Sequence, residues 1–410
     1  MYIIFSLTRI SLKQKGEIYM KLGNQKLIYF SPIIVVAVIF IFILTLIPSA
    51  SSAPKNLPIA FVNADEGMTV PAKGNVNIGN QMKQNMKQAS TEQSSVKWIF
   101  VSNTKEVEKG LNNQQYYGAL IIPKDFTKKQ ATLQTAKPDA PAVKLLVNQG
   151  MNTAASTLAS QVLNGAVDKM NENMRLQLVK RFEQNGTQLS ANQALALAAP
   201  IQKTVINVNE TGTHSVNGNA PVSLFQPLWM ASIAGAAMIF LSIQKITFSS
   251  RKEKIVNQVG FVIIGVILAL AAGFGLAWLA EVVGISVPSF LDTALFLAIA
   301  YFSFFTLISA VLSWLGLKGL PIFVIVLFFG APLLSMAPEV MPDFYRELIY
   351  PWLPMRFMVD GVRELFFFGE HLTWNHSVSA LALISLISLC ALFASALPAS
   401  SVKKEKSRLI

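Results

Sequence analysis

Long stretches almost free of charged side chains constrain this chain more than any other feature. Ile33–Ile47 carries no charge, and Pro48 ends the run. Comparable apolar runs cover Leu224–Ile243, Ile255–Ala280, Phe290–Leu315, Leu320–Met336 and Ser377–Leu397. At 1.5 Å of rise per residue, each is about long enough to cross a hydrocarbon core about 30 Å thick. The expected fold is an all-α transmembrane domain of six helices. Helix one lies at 27–48 and the other five lie within 224–398. Between helices one and two sits an inserted extracytoplasmic α/β domain, residues 49–223. Ser31 followed by Pro32 suits a helix start, as an N-cap and then a proline at the first helical position. Small Ser51 and Ala53 would suit a signal-peptide cleavage site. The run exceeds a typical signal core, however, and Pro54 follows the best bond, so a retained anchor is expected.

Charged residues make up 14% of the chain, against about 25% in an average soluble domain. The net charge of +12 follows from where the basic residues fall. Lys13, Lys15, Lys21 and Lys26 precede the first run. Lys245, Arg251, Lys252 and Lys254 follow the second, Lys318 follows the fourth, and Lys403, Lys404, Lys406 and Arg408 follow the last. The opposite side carries Glu281, Glu339, Asp343, Glu347, Asp360, Glu364 and Glu370, against only Arg346, Arg356 and Arg363. Short loops rich in Lys and Arg stay in the cytoplasm. Both ends, residues 1–26 and the basic tail 399–410, are therefore expected inside a multi-pass bacterial cell-membrane protein. Without an RGG tract or zinc-ligand spacing, the basic excess does not point to nucleic acid.

The outer domain reads as strands and crossover helices. Strands are expected at Pro58–Val62, Val96–Ser102, Tyr117–Ile122 and Val143–Val147, with Thr204–Val208 extended. A short helix, Thr104–Leu111, has Asn103 as its cap. A long helix, Thr153–Phe182, presents Leu158, Val162, Ala166, Met170, Met174, Leu178 and Phe182 every fourth residue. Leu163 and Val167 widen this stripe, which is read as core-facing. A second helix near Ala191–Ala199 stops at Pro200. The single cysteine, Cys390, cannot form an internal disulfide and is expected to pack as an apolar side chain.

No enzyme constellation is visible. His214, His371 and His376 lack metal-ligand spacing, there is no Gly-x-Ser-x-Gly elbow, and no metal or cofactor is expected. Asp65-Glu66 fits turn chemistry better than a cation site. Asp292 reads as an interfacial residue near the N-cap of the fourth span, rather than as a buried membrane carboxylate.

Several segments resemble the phage infection protein family. They are Leu57-Pro58-Ile59-Ala60-Phe61-Val62-Asn63-Ala64-Asp65-Glu66-Gly67, Trp98–Ser102, Tyr117–Phe126, Asn148-Gln149-Gly150 and Ala220–Leu228. The remaining spans resemble the membrane subunits of ABC-type exporters, on Met341-Pro342, Pro351, Leu353-Pro354 and Asp360-Gly361-Val362-Arg363 before Gly369. This resemblance implies a permease subunit moving an amphipathic or cell-envelope compound. It implies a homodimer or heterodimer with a similar permease in the lipid bilayer. It also implies an inner loop, with Lys245, Arg251, Lys252 and Lys254, that meets a separate ATP-binding subunit. The chain has no Gly-x-x-x-x-Gly-Lys-Ser/Thr loop of its own. The alternative is a non-transporting envelope protein whose outer domain is a docking surface for phage or a secretion machine.

Two further expectations concern smaller segments. Lys15-Gly16-Glu17 can be encoded by a bacterial ribosome-binding sequence ahead of Met20, so residues 1–19 are expected to be untranslated. Residues 338–374 are too polar to span yet dense in aromatics, and are expected as short helices at the outer interface. There Arg363 should pair with Asp360 or Glu364, and Arg356 with Asp360 at i, i+4.

Overall fold

The structure is a computed structural model that describes residues 36, 40, 47, 54–71, 74–89, 95–184, 186, 188–244, 246 and 251–396. The expected termini, most of helix one and Lys245 lie outside them. Residues 1–51 form a unit separate from 52–410. In the first unit Val36, Phe40 and Ile47 are helical and exposed.

The second unit begins with strand β1 (Leu57–Asn63), followed by a small hairpin of β2 (Met68–Val70) and β3 (Gly74–Val76). Helix α1 (Ile78–Ala89), β4 (Val96–Val101), α2 (Thr104–Asn112), β5 (Gly118–Ile122), α3 (Phe126–Thr132) and β6 (Ala142–Asn148) follow. The region closes with α4 (Thr153–Gln184), α5 (Ala191–Ala198) and β7 (Gln202–Val208). The five long strands form one sheet in the order β4-β1-β5-β6-β7, with only the β5–β6 pair antiparallel. Parallel pairing forces crossover helices, which cover both faces of the central strands. That is why β1 is almost wholly buried. Its Ile59 and Phe61 face the α4 side, and Ala60 and Val62 face Val107 and Leu111 of α2.

Each expected strand and helix of this region is present within a few residues, and Asn103 does cap α2, accepting from Glu106 N. The buried line along α4 differs from the stripe read in the sequence. It runs Ala155, Ala159, Leu163, Val167, Met174, Leu178 and Phe182, while Leu158, Val162 and Met170 only flank it. Small Ala155 and Ala159 begin this line because α4 passes close to β5, where Ala159 and Leu163 lie beside Gly118.

The rest is helical: α6 (Ala220–Ile243), α7 (Arg251–Val282), α8 (Phe290–Leu315), α9 (Leu320–Ser335), α10 (Pro354–Phe367) and α11 (His376–Ala394). Among the described residues four stretches are long and apolar enough to cross a membrane: 220–243, 252–282, 290–335 and 376–394. The third joins α8 and α9 through a tight turn, Gly316–Gly319. Gly316 ends α8 at φ 62° and ψ −158°, a conformation that side chains disfavour, and Pro321 opens α9. Helix α8 is the centre of the bundle. Trp229 of α6 is fully buried against Phe304 and Phe323 and donates to the Phe323 carbonyl at 3.2 Å.

By contrast, only 22% of the apolar window in 252–282 is buried, and Val256, Val259, Ile263, Ile267 and Leu270 are exposed. So much contiguous apolar surface requires an apolar surrounding. Gly273 and Gly275 differ in role: a Cβ on Gly273 would lie 2.3 Å from the Ala294 carbonyl, whereas Gly275 faces open space. Cys390 is exposed on α11 rather than packed, because the apolar face that holds it points away from the bundle.

Candidate functional site

The α/β region meets the helix ends around a polar cavity of about 440 Å³. Its walls come from five places. Asn113, Gln114 and Tyr117 approach from the sheet side, and Met151 and Asn152 from the start of α4. Met336 to Glu339 follow α9. Tyr350, Arg356, Asp360, Arg363 and Glu364 belong to the segment 338–374, and His376 and Ser377 open α11.

This wall is built by local chemistry. Pro338 turns the chain out of α9 into a short 3-10 helix, Pro338–Val340. That turn presents the Glu339 carboxylate to the Tyr117 hydroxyl, which donates at 2.8 Å. The Glu339 carbonyl accepts from Lys55 N at 2.8 Å, and Lys55 Nζ pairs with Asp343 at 3.1 Å. Asn152 Nδ2 donates to the Ser335 carbonyl at 3.0 Å, fastening α4 to the end of α9. Asn148-Gln149-Gly150 forms the opposite edge. Buried Asn148 donates to the Leu111 and Tyr116 carbonyls and accepts from Asn209. Gly150 then passes so close to α10 that a Cβ would lie 2.8 Å from the Phe367 Cβ.

The expected short helices of residues 338–374 are present, α10 among them, packed by Met355, Met358, Val359 and Val362. Arg363 pairs with Asp360 at 3.1 Å, with only 12% of its side chain exposed. The expected Arg356–Asp360 pair does not form. Tyr350 and Phe357 instead flank the Arg356 guanidinium, with ring centroids at 5.1 and 4.7 Å. Arg363 occupies the carboxylate that Arg356 was expected to meet. The Arg356 Nε is buried without a hydrogen-bond partner.

Burial shifts the acids of this wall. It pushes the Asp360 carboxyl up, against the pull of Arg363 and Arg356. Asp360 keeps about a third of its side-chain surface, 35%, but that surface faces the cavity. Burial also raises Glu364 from its ordinary 4.5 to about 7, with Asp360 and Glu370 adding to the effect. Asn375 Nδ2 donates to Glu364 at 2.6 Å. The Tyr117 and Tyr350 hydroxyls are pushed up by burial and remain donors.

The other residues singled out in the sequence fall elsewhere. Arg251, Lys252 and Lys254 were expected on a loop, yet helix α7 starts at Arg251 and takes all three into its first turn. Lys254 lines a smaller cavity of about 190 Å³ beside Gln258 and Ser309. Asp65 accepts from Gly67 N, Gly79 N, Thr127 N and Thr127 Oγ1, so turn-holding accounts for it. Asp292 sits in the first turn of α8, accepts from Ser289 Oγ at 2.9 Å and faces His371 at 3.0 Å. Among the described residues no group of three or more His, Cys, Asp or Glu could hold a metal. Sequence reading missed Tyr117, Asn152, Tyr350 and His376 as partners in one site. No spacing pattern links positions so far apart.

An α/β region set ahead of long apolar helices, and fastened to their ends around a polar cavity, defines a membrane protein with an inserted sheet domain. The chain belongs to the family described as "Protein of unknown function (DUF3533)", which matches residues 28–378. It is also similar to "Uncharacterized protein YhgE" of Bacillus subtilis (strain 168), with 26% identity over 126 residues. That match covers 31% of this chain and 15% of the relative's length. No solved structure matches.

Proposed function

We propose that this chain is the membrane subunit of an ABC-type exporter, moving an amphipathic or cell-envelope compound with energy from a separate ATP-binding chain. The observation that supports this reading is the polar cavity, formed where the outer region is fastened to the ends of apolar helices. Motion at the end of α9 would reach the α/β region through Glu339 and Ser335. A compound leaving the bilayer headgroup first would meet such a cavity at the outer surface.

The reading uses six crossings. Residues 27–48 supply the first, and α8 and α9 count as two. The 46 residues of 290–335 would extend about 69 Å, more than twice a hydrocarbon core. Basic-residue bias then places both ends in the cytoplasm and the sheet outside. Lys245, Arg251, Lys252 and Lys254 sit where an ATPase would dock, and two permease copies would pair around the path. The chain itself carries out no catalysis.

A second reading has support in the outer region. Leu176 and Val179 on α4 and Leu195 on α5 are exposed, Leu195 by 73%. Apolar side chains turned to water suit a docking surface for phage or a secretion machine.

Affinity purification from the native cell separates the two. The exporter reading expects an ATPase to co-purify. It also expects Arg251→Ala with Lys252→Ala to weaken that docking, by about 1 kcal/mol or less per exposed contact. Absence of any ATPase from the wild-type preparation, with normal behaviour of the double variant, would favour docking.

A further inference from the structure

We infer that the cavity beside Arg356 binds a monoanionic phosphodiester, carried as the headgroup of an amphiphile. The reason a ligand should reside there rests on the exporter reading. The chemistry of the site rests on the side chains.

Among the described residues Arg356 is the arginine of this wall that makes no ion pair, although its charge is felt at Asp360. Arg363 is engaged by Asp360 at 3.1 Å, Glu339 accepts from Tyr117, and Glu364 accepts from Asn375. The Arg356 guanidinium has ring faces on two sides and a buried Nε with nothing to donate to. A buried donor without a partner is costly, and a guanidinium without an acceptor more so. Two aromatic rings lie beside it, which leaves its N–H fork as the place for an acceptor. An Arg fork suits a planar pair of oxyanion oxygens.

The neighbouring charges set the class of anion. Glu339, Asp360 and Glu364 line the same cavity, so a dianion would face repulsion that one free guanidinium does not offset. A single negative charge matches one unpaired cation. The volume of about 440 Å³ exceeds what a bare carboxylate fills and suits a headgroup. Met336 follows α9 and His376 begins α11, so the cavity lies at the ends of apolar helices, where an amphiphile's tail would leave it.

The test uses the full chain in neutral detergent. Thermal stabilisation is titrated with phosphatidylglycerol, with diacylglycerol, an uncharged lipid without phosphate, and with dibutyl phosphate as the soluble phosphodiester. Phosphatidylglycerol should stabilise the protein and diacylglycerol should not. Arg356→Met should weaken phosphatidylglycerol binding about tenfold or more, the loss expected for one charge-assisted contact. Arg346→Met, on a half-buried arginine already paired with Asp343 and Glu347, should leave binding unchanged. Should the methionine variant fail to fold, Arg356→Lys keeps the charge, loses the fork and should still weaken binding severalfold. Equal binding by wild type and both Arg356 variants overturns the proposal, as does equal binding of the two lipids. Stabilisation by dibutyl phosphate without phosphatidylglycerol overturns the amphiphile as the source. No ATPase or transport enters the assay, so failure of the exporter reading would leave these results unchanged.

Discussion

The Tyr117 hydroxyl donates to Glu339 Oε2 at 2.8 Å, joining positions 222 residues apart. Both ends of this bond are held. Tyr117 N donates to the Pro58 carbonyl at 3.0 Å, and its own carbonyl accepts from Asn148 N at 2.9 Å. Glu339 sits in a 3-10 turn opened by Pro338, and its carbonyl accepts from Lys55 N. The bond therefore ties a sheet to a helix end, rather than one flexible side chain to another. Burial keeps the phenol protonated, its pKa raised well above 10.

Tyr117→Phe should lower stability by about 1–3 kcal/mol, because it leaves a carboxylate facing an apolar ring. Glu339→Gln should cost less, since an amide oxygen still accepts. The double variant should cost less than the sum of the two, as expected for groups in contact. Thermal unfolding of the three proteins checks this, and strict additivity would deny the coupling.

Gly150→Ala probes the same join from its other edge. The added Cβ would lie 2.8 Å from the Phe367 Cβ and 3.1 Å from the Asn209 carbonyl. Neither is the free end of a flexible chain, so α10 or β7 must shift. Overpacking of this kind costs about 1–3 kcal/mol. Gly275→Ala serves as the control, since nothing lies within 4 Å of its Cβ and helix propensity favours alanine. Faster proteolysis between the sheet and α10 is expected for the first variant and not the second.

The sheet region was legible because its signals are local. Alternating apolar runs, an Asn cap and a proline stop are read within ten residues of where they act. Helix α1 and the β2–β3 hairpin were not read, because α1 is polar and each strand has three residues. Arg356 shows where local rules end. Spacing at i, i+4 pointed to Asp360, yet Arg363 is buried beside that carboxylate and two rings hold Arg356 apart. The cavity was invisible for a related reason. Tyr117, Asn152, Tyr350 and His376 carry no shared motif, and only the fold brings them together.

Glu364 supplies a pH test. Its folded pKa of about 7 lies above its ordinary 4.5. A carboxyl raised on folding resists ionisation there, so the native state carries no penalty from it below about pH 4.5. The penalty grows as pH rises from 4.5 to about 7 and is constant above. Glu364→Gln removes the ionisation and keeps an acceptor for Asn375. The variant should therefore gain stability over wild type at pH 8, by about 1 kcal/mol once partial solvent exposure is allowed for, and little at pH 4.5. Melting temperatures at the two pH values check it. A gain of equal size at both would show that the acid's charge is not the cause.

The six-crossing reading makes a prediction about sides that needs no partner protein. If α8 and α9 cross separately, their turn at Gly316–Gly319 lies on the cytoplasmic side, opposite the sheet. Lys318 in that turn and Glu108 on α2 are both exposed, so a cysteine at either should react where solvent reaches it. Cys390 is exposed on α11 and must first be replaced by serine. In intact cells a membrane-impermeant thiol reagent should label Glu108→Cys and spare Lys318→Cys. After permeabilisation both should label. The charge argument gives the direction: Lys318 is the basic residue of the shortest loop, while acidic residues crowd the loops on the other side. Labelling of Lys318→Cys in intact cells would mean that 290–335 does not cross twice. Helix α11 would then start on the wrong side, and the outer placement of the cavity would fall with it.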